Sequence, residues 1–234
     1  MRIWDINSGF LNDQSLLGEH RELHGMHSII SRKKSGYSRH PETLRWVSHL
    51  PALIIRHELL VGEMKLRGFN HHSPLHGYTS SVEWPAIFID PPAAQYSLLQ
   101  KKYVTKKQGR IPLPQNIQIL WADHKYSVMA RAPYIYAEIG KRVAAGEITF
   151  EALSEKLVQL LRTPPSEGRL TNAVFHMWGY ISDYSPMNPR ERTNVELLEE
   201  IQKKSREYNI DYLLHSTALS DLMFYAQWHS FMGE

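Results

Sequence analysis

An all-α protein built as two helical units is what the sequence predicts, and three observations carry that prediction. Apolar residues recur at helical period over long stretches, capping residues and Gly/Pro signals bound those stretches, and composition and periodicity change together between Arg110 and Asp123. The expected units are residues 1–115 and 123–234. The first strong helix runs from about Asn12 to Lys34, with Asn12 or Asp13 as its cap and "KKSG" closing it. With Gln14 at zero and about 100° per residue, Leu16, Leu23 and Ile30 fall within about 20° of the opposite pole, the core side. Gln14, Gly18, Arg21, Gly25, Ser28 and Arg32 fall within about 40° of zero, and Glu22 is about 80° away. This second stripe is polar and lacks a side chain twice. Glycine inside a helix costs roughly 1 kcal/mol relative to alanine, so either a partner backbone approaches there or two helices cross tightly.

A short helix is expected to start at Pro41. Another runs from Pro51 to a Gly68 cap, with Leu53, Ile54, Leu60, Val61 and Met64 as core. Residues 70–95 carry little periodicity and read as a long irregular connection. "AQYSLLQKKYVTKK" is a basic helix, broken by "GRIPLPQN". Helical pattern returns from about Asp123. One segment runs from His124 to Gly146, "FEALSEKLVQLLR" stops at Pro164–Pro165, and "LTNAVFHMWGYISDY", "NVELLEEIQKKSREYN" and "DYLLHSTALSDLMFYAQWHSF" complete the second unit.

Composition narrows the function classes. The 234 residues are 42% hydrophobic and 22% charged, as in a soluble globular protein. No apolar run approaches the roughly 20 residues that cross a bilayer, and the N-terminus lacks a signal-peptide pattern, so a cytoplasmic protein without membrane partners is expected. With no cysteine there is no disulfide, thiolate nucleophile or cysteine zinc site. Residues 1–123 hold 15 Lys/Arg against 10 Asp/Glu, a balance of +5, whereas residues 124–234 hold 12 against 14, a balance of −2. A basic first half suits a polyanionic partner.

"MRIWDINSGFLNDQSLLGEHREL", "GYSRHPETLR" and "HELLVGEMKLRGFN" together resemble the pyrimidine-dimer DNA glycosylases, the family of phage endonuclease V, over about residues 1–75. The resemblance implies a glycosylase and AP lyase acting on damaged double-stranded DNA. In that family the N-terminal α-amine attacks the sugar C1′ and expels the base, and the Schiff base then permits β-elimination. Carried onto this sequence, the nucleophile is the amine of Met1 and its acidic partner is Glu22. Arg2, Gln14, Gly18, Arg21, Gly25 and Arg32 are the implied nucleic-acid contacts, and Tyr37, His40 and Arg45 belong to the "GYxxHPxxxR" pattern. His40, preceding Pro41, suits a helix cap as well as a phosphate contact. Arginine at position 2 implies that Met1 is retained, and counting from Met1 keeps register with Glu22. The chemistry is sound on its own terms. An α-amine has a reference pKa near roughly 7.7–8.0, so much of it is nucleophilic at neutral pH. A carboxylate beside it stabilises developing cationic charge and moves protons. The mechanism requires no cofactor or metal.

The second half, through "HKYSVMA", "TPPSEGRLTNAVFHMWGY" and "TALSDLMFYA", resembles an incompletely characterised helical domain sometimes fused to desulfidases acting on thiolated uracil. That resemblance implies a grip on nucleic acid, RNA included, with Lys125, Arg131, Arg169, Asn172 and His176 as candidates. Asn172 and His176, at i,i+4, equally suit buried hydrogen-bonding residues. Lys101, Lys102, Lys106 and Lys107 form either a second clamp or a solvated charge run. The rival readings are a non-catalytic binding module, the same chemistry on a modified pyrimidine or RNA base, and a metal-dependent hydrolase. For the last, His20, His24 and His27 share a helix face and "HHSPLH" adds His71, His72 and His76, but satisfied structural histidines are the expectation.

Overall fold

The Asn12 side chain accepts a hydrogen bond from the Ser15 N–H and so opens the first long helix, α1 (Asp13–Ser31). A computed structural model of the chain describes residues 2–76 and 82–232. Ten further helices follow: α2 (Pro41–Trp46), α3 (Leu50–Leu66), α4 (Pro92–Lys102), α5 (Ile117–Met129), α6 (Pro133–Ala145), α7 (Phe150–Leu161), α8 (Glu167–Trp178), α9 (Asn194–Glu207), α10 (Asp211–Leu214) and α11 (Ala218–Met232). Short 3₁₀ turns interrupt the connections, and there is no strand among the described residues. The all-α expectation holds. No helix among them is long and apolar enough to cross a membrane.

Two boundaries differ from expectation for local reasons. α5 starts at Ile117, not Asp123, because the Asn116 side chain caps the Ile119 N–H. The segment expected as one helix from His124 to Gly146 breaks after Met129, because Pro133 has no N–H to continue the ladder and instead opens α6. The tail also breaks, between α10 and α11 at His215–Thr217. Gly146 closes α6 in the left-handed region at φ 70°, and Gly68 follows α3 at φ 84°.

One hydrophobic cluster gathers the N-terminal segment with α1 to α7, including Ile3, Ile6, Phe10, Leu16, Leu23, Leu53, Leu60, Leu99 and Leu157. The edge of Tyr96 packs on Phe10 at 5.1 Å, and His124 stacks on the same ring at 5.5 Å. A second cluster joins α8 to α11 with Ile55 and Leu66 of α3 and with Tyr126 and Met129 of α5. Thus α3 and α5 serve both cores. The tight helix crossing is at Gly62 of α3, where an added Cβ would stand 3.2 Å from the Ser220 carbonyl oxygen of α11. At Gly18 and Gly25 it would meet nothing within 4 Å, so those glycines are not crossing points within the chain.

Charge ties the same layers together. Glu63, fully buried in α3, takes the Arg110 guanidinium at 2.7 Å and Arg67 at 2.8 Å. Arg110 also donates to the carbonyls of Leu214 and Ser216, and Arg67 to those of Leu11 and Gly9. Burial pushes the Glu63 carboxyl up, but Arg110 and Arg67 outweigh it and hold the group down at about 2. A carboxyl depressed on folding stabilises fully above its unfolded value and loses that contribution as pH falls. Glu63 therefore contributes stability above about pH 4.5 that disappears between about 4.5 and 2. Thermal melts across this window should show the loss in the parent chain. Glu63→Gln should be less stable by about 3–5 kcal/mol at neutral pH and should lack that dependence. Gly109→Ala should cost about 1–3 kcal/mol in urea unfolding, since its Cβ would lie 2.5 Å from the Gly9 carbonyl oxygen and 2.6 Å from the Phe10 carbonyl carbon, both backbone.

Candidate functional site

The N-terminal segment, irregular up to the 3₁₀ turn at Ser8–Phe10, is held by buried polar contacts on several sides. Glu19 of α1 accepts the Trp4 N–H at 3.3 Å and is clasped by Arg56 of α3, Nε to Oε1 at 2.8 Å and the second arm to Oε2 at 2.9 Å. Arg56 also donates to the Ile6 carbonyl at 3.0 Å. Burial raises the Glu19 carboxyl above its ordinary value, opposed by Arg56 and the Trp4 N–H. Gln95 of α4 accepts the Asp5 N–H at 2.8 Å and donates to the Asp5 carboxylate. That carboxylate also binds Arg45 of α2 at 2.9 Å and Arg162, beyond α7, at 2.8 Å.

This anchoring places the start of the described chain beside α1 and α4. Arg2, Trp4, Gln14, Ser15, Gly18, Glu19, Glu22, Leu98 and Lys102 line one open cleft of about 400 Å³. Four of the expected residues meet there: Arg2, Gln14, Gly18 and Glu22. Arg2 pairs with Asp90 at 2.6 Å and lies over the Trp4 ring, whose centroid is 5.0 Å from its guanidinium carbon. Trp4 itself is buried. Met1 lies outside the described residues.

The cleft also contains Glu19, which no sequence motif marks, and Lys102, one of the four lysines expected either as a second clamp or as a solvated charge run. Glu19 forms its floor, and Lys102 closes it from α4, donating to Ser15 Oγ at 2.9 Å. Of the four lysines weighed as a second clamp, Lys102 alone lines this cleft. Partial burial, then Lys106 and Arg2, lower its ammonium below the ordinary value.

The remaining expected residues are distributed unevenly. Arg21 and Gly25 are exposed on the α1 stripe, with Arg21 Nε donating to the Leu17 carbonyl of its own helix at 3.1 Å. Arg32 is exposed at the C-cap of α1, and Tyr37 is 66% exposed. His40 caps α2 through Nδ1, which accepts the Glu42 N–H at 3.1 Å. Arg45 requires correction as a nucleic-acid contact. Its side chain is 3% exposed, because Asp5 and Glu42 draw it inward to pin the N-terminal segment.

In the second half Arg131 is likewise buried, bonded to Asp221 and to the Thr163 and Ser127 carbonyls. It does not reach nucleic acid from there. Asn172 and His176 are exposed on α8, which overturns their reading as buried hydrogen-bonding residues. Arg169 is exposed, and Lys125 rests over the Tyr212 ring at 4.4 Å.

A second cluster lies elsewhere on α1. His20 and His24 meet His57 of α3 and His71, which follows α3, with one ring nitrogen from each all within 4.8 Å of one another. His24 Nε2 is 3.2 Å from His20 Nε2 and 3.1 Å from His57 Nε2. Burial and the neighbouring imidazoles lower His20 to about 4 and depress His24 and His71 as well. His27, His72 and His76 are not part of the group, and His57 was not anticipated.

Residues 1–77 match a family model described as pyrimidine dimer DNA glycosylase, and residues 125–205 match one described as a protein of unknown function (DUF1722). These matches bear out both resemblances. No curated protein and no solved structure matches the chain.

Two arginines of the first matched region should respond differently to truncation. Arg45→Ala should cost about 3 kcal/mol in urea unfolding by breaking a buried pair. Arg21→Ala, on the surface, should stay within about 0.5 kcal/mol of the parent. It should instead weaken binding to duplex DNA and reduce the salt slope of that binding by about one.

Proposed function

We propose that the protein is a DNA glycosylase and AP lyase that excises damaged pyrimidines, ultraviolet dimers foremost, from duplex DNA. The observation that carries this reading is the cleft in which Glu22 is gathered with Arg2, Gln14 and Gly18, within the region matched by the glycosylase family model. The nucleophile in this account is the α-amine of Met1, one residue before Arg2. It attacks C1′, and the glycosidic bond breaks with its electron pair leaving on the base, which takes up a proton. Loss of a proton from nitrogen and opening of the sugar produce the imine. Removal of a proton from C2′ then expels the 3′ phosphate by β-elimination. Glu22 stabilises the positive charge that develops at C1′ and serves as the proton carrier in the later steps.

The surface around the cleft suits such a substrate. Gly18 and Gly25 present helix backbone with open space above, so a phosphate strand can approach α1 closely, and Arg21 and Arg32 flank that approach. Lesion selectivity in this account comes from the low cost of unstacking a damaged pair and from the shape of the cleft, not from groove-edge readout. Residues 1–115 carry the chemistry. Residues 123–234 add a nucleic-acid grip through Lys125, Arg169, Asn172 and His176, a role that extends to RNA. The nearby amine of Lys102 favours one variant of the mechanism, in which it replaces the α-amine.

Strand-nicking rates on ultraviolet-irradiated and abasic duplexes test the proposal, using tag-free protein whose Met1 start is verified by mass spectrometry. Glu22→Gln should lower the rate by about 10²–10⁴-fold, and a Gly-Ser extension before Met1 should abolish it. Lys102→Met should retain most of the rate. Full activity in the extended chain, together with loss in Lys102→Met, would transfer the nucleophile to Lys102. Full activity in Glu22→Gln would end the account.

A further inference from the structure

We propose that His20, His24, His57 and His71 form a tetrahedral site for a divalent transition-metal ion, zinc by the nature of its donors, that ties together α1, α3 and the segment after α3. Three observations support the assignment. The first is convergence: four imidazoles from three stretches of chain each bring one ring nitrogen within 4.8 Å of the others. Tetrahedral zinc with Zn–N of about 2.0–2.1 Å requires ligand nitrogens about 3.3–3.4 Å apart. His24 Nε2 already lies 3.2 Å and 3.1 Å from two partner nitrogens, so small side-chain rotations close the rest.

The second is hydrogen-bond accounting. His57 Nδ1 donates to the Glu58 carboxylate at 2.8 Å, which leaves His57 Nε2 with a lone pair aimed at His24. His24 Nε2 has a single hydrogen or a single lone pair to share among the His20 and His57 nitrogens and the Ser73 hydroxyl, 3.3 Å away, so these contacts are not all met at once by hydrogen bonds. An electrophilic centre among them satisfies every lone pair at once. The third is the Glu58 contact itself. A carboxylate that holds the outer N–H of a histidine is the usual support of a metal-bound imidazole, fixing its tautomer and orientation.

The donor set selects the ion class. Four neutral nitrogens without a carboxylate suit zinc and its imidazole-binding neighbours over magnesium or calcium. Four protein ligands leave no open position, the arrangement of a structural site. The location agrees with that role. His20 and His24 are each two residues from Glu22, about 160° around α1 from it, so the ion faces away from the cleft. It would brace the helix that carries Glu22 without entering the reaction.

Tag-free, full-length protein should be purified, stripped with chelator and titrated with zinc, with metal content, calorimetry and thermal melts as readouts. We expect about one zinc per chain and a melting temperature that rises with zinc concentration. Cobalt in place of zinc should show the intense visible bands of tetrahedral coordination. His71 is partly exposed beyond the end of α3, so His71→Ala should fold. It should lower zinc affinity by about 100-fold or more, and Glu58→Ala by about 10–100-fold. Absence of zinc binding by the parent chain, or unchanged affinity in both variants, would overturn the site. Neither result bears on Glu22→Gln, so this site and the glycosylase reading stand or fall separately.

Discussion

The buried Glu19–Arg56 pair is the interaction on which the arrangement of the cleft depends. A carboxylate and a guanidinium taken out of water are tolerable only when each finds further partners. Here those partners are backbone groups of the N-terminal segment, the Trp4 N–H and the Ile6 carbonyl. The pair therefore links α1 to α3 and also specifies where the irregular segment of residues 2–6 must lie. Asp5, held by Arg45, Arg162 and Gln95, fixes the same segment from its other side. Apolar burial of Ile3 and Ile6 supplies the driving force, and the polar contacts supply the register.

The proposed amine nucleophile needs an N-terminal segment held in one place. An α-amine requires no unusual burial to be reactive near neutral pH, so positioning is the remaining problem. Placing Arg2 in one cleft with Glu22 addresses it with ordinary residues. In the proposed reaction the outward stripe of α1 has a coherent role: its open glycines would let a strand approach, its exposed arginines would neutralise phosphate, and Glu22 lines the cleft.

Local signals made much of this legible. The caps at Asn12 and His40, the Pro/Gly punctuation of α3 and the two stripes of α1 depend only on neighbours in sequence, and helix geometry fixes them. What local signals leave open depends on distant partners. Arg45 and Arg131 look like surface cations until Asp5 and Asp221, remote in sequence, fold against them. Lys102 joins the cleft only because α4 packs beside α1, through a connection with no periodicity to read. His57, flanked by core residues in α3, gave no hint of a role until α1 brought two histidines to it. Glu19 was hidden for a related reason: its neighbour Glu22 reads as the acid of the motif, whereas the value of Glu19 lies in Arg56 and Trp4.

The central claim is that the first amino group of the chain and Glu22 act together on one sugar carbon. Borohydride reduction of the protein with an abasic duplex, followed by peptide mapping, tests it most directly. The account predicts a reduced sugar adduct on the peptide beginning with Met1. An adduct confined to Lys102, or none from a protein with a free Met1 amine, would contradict it.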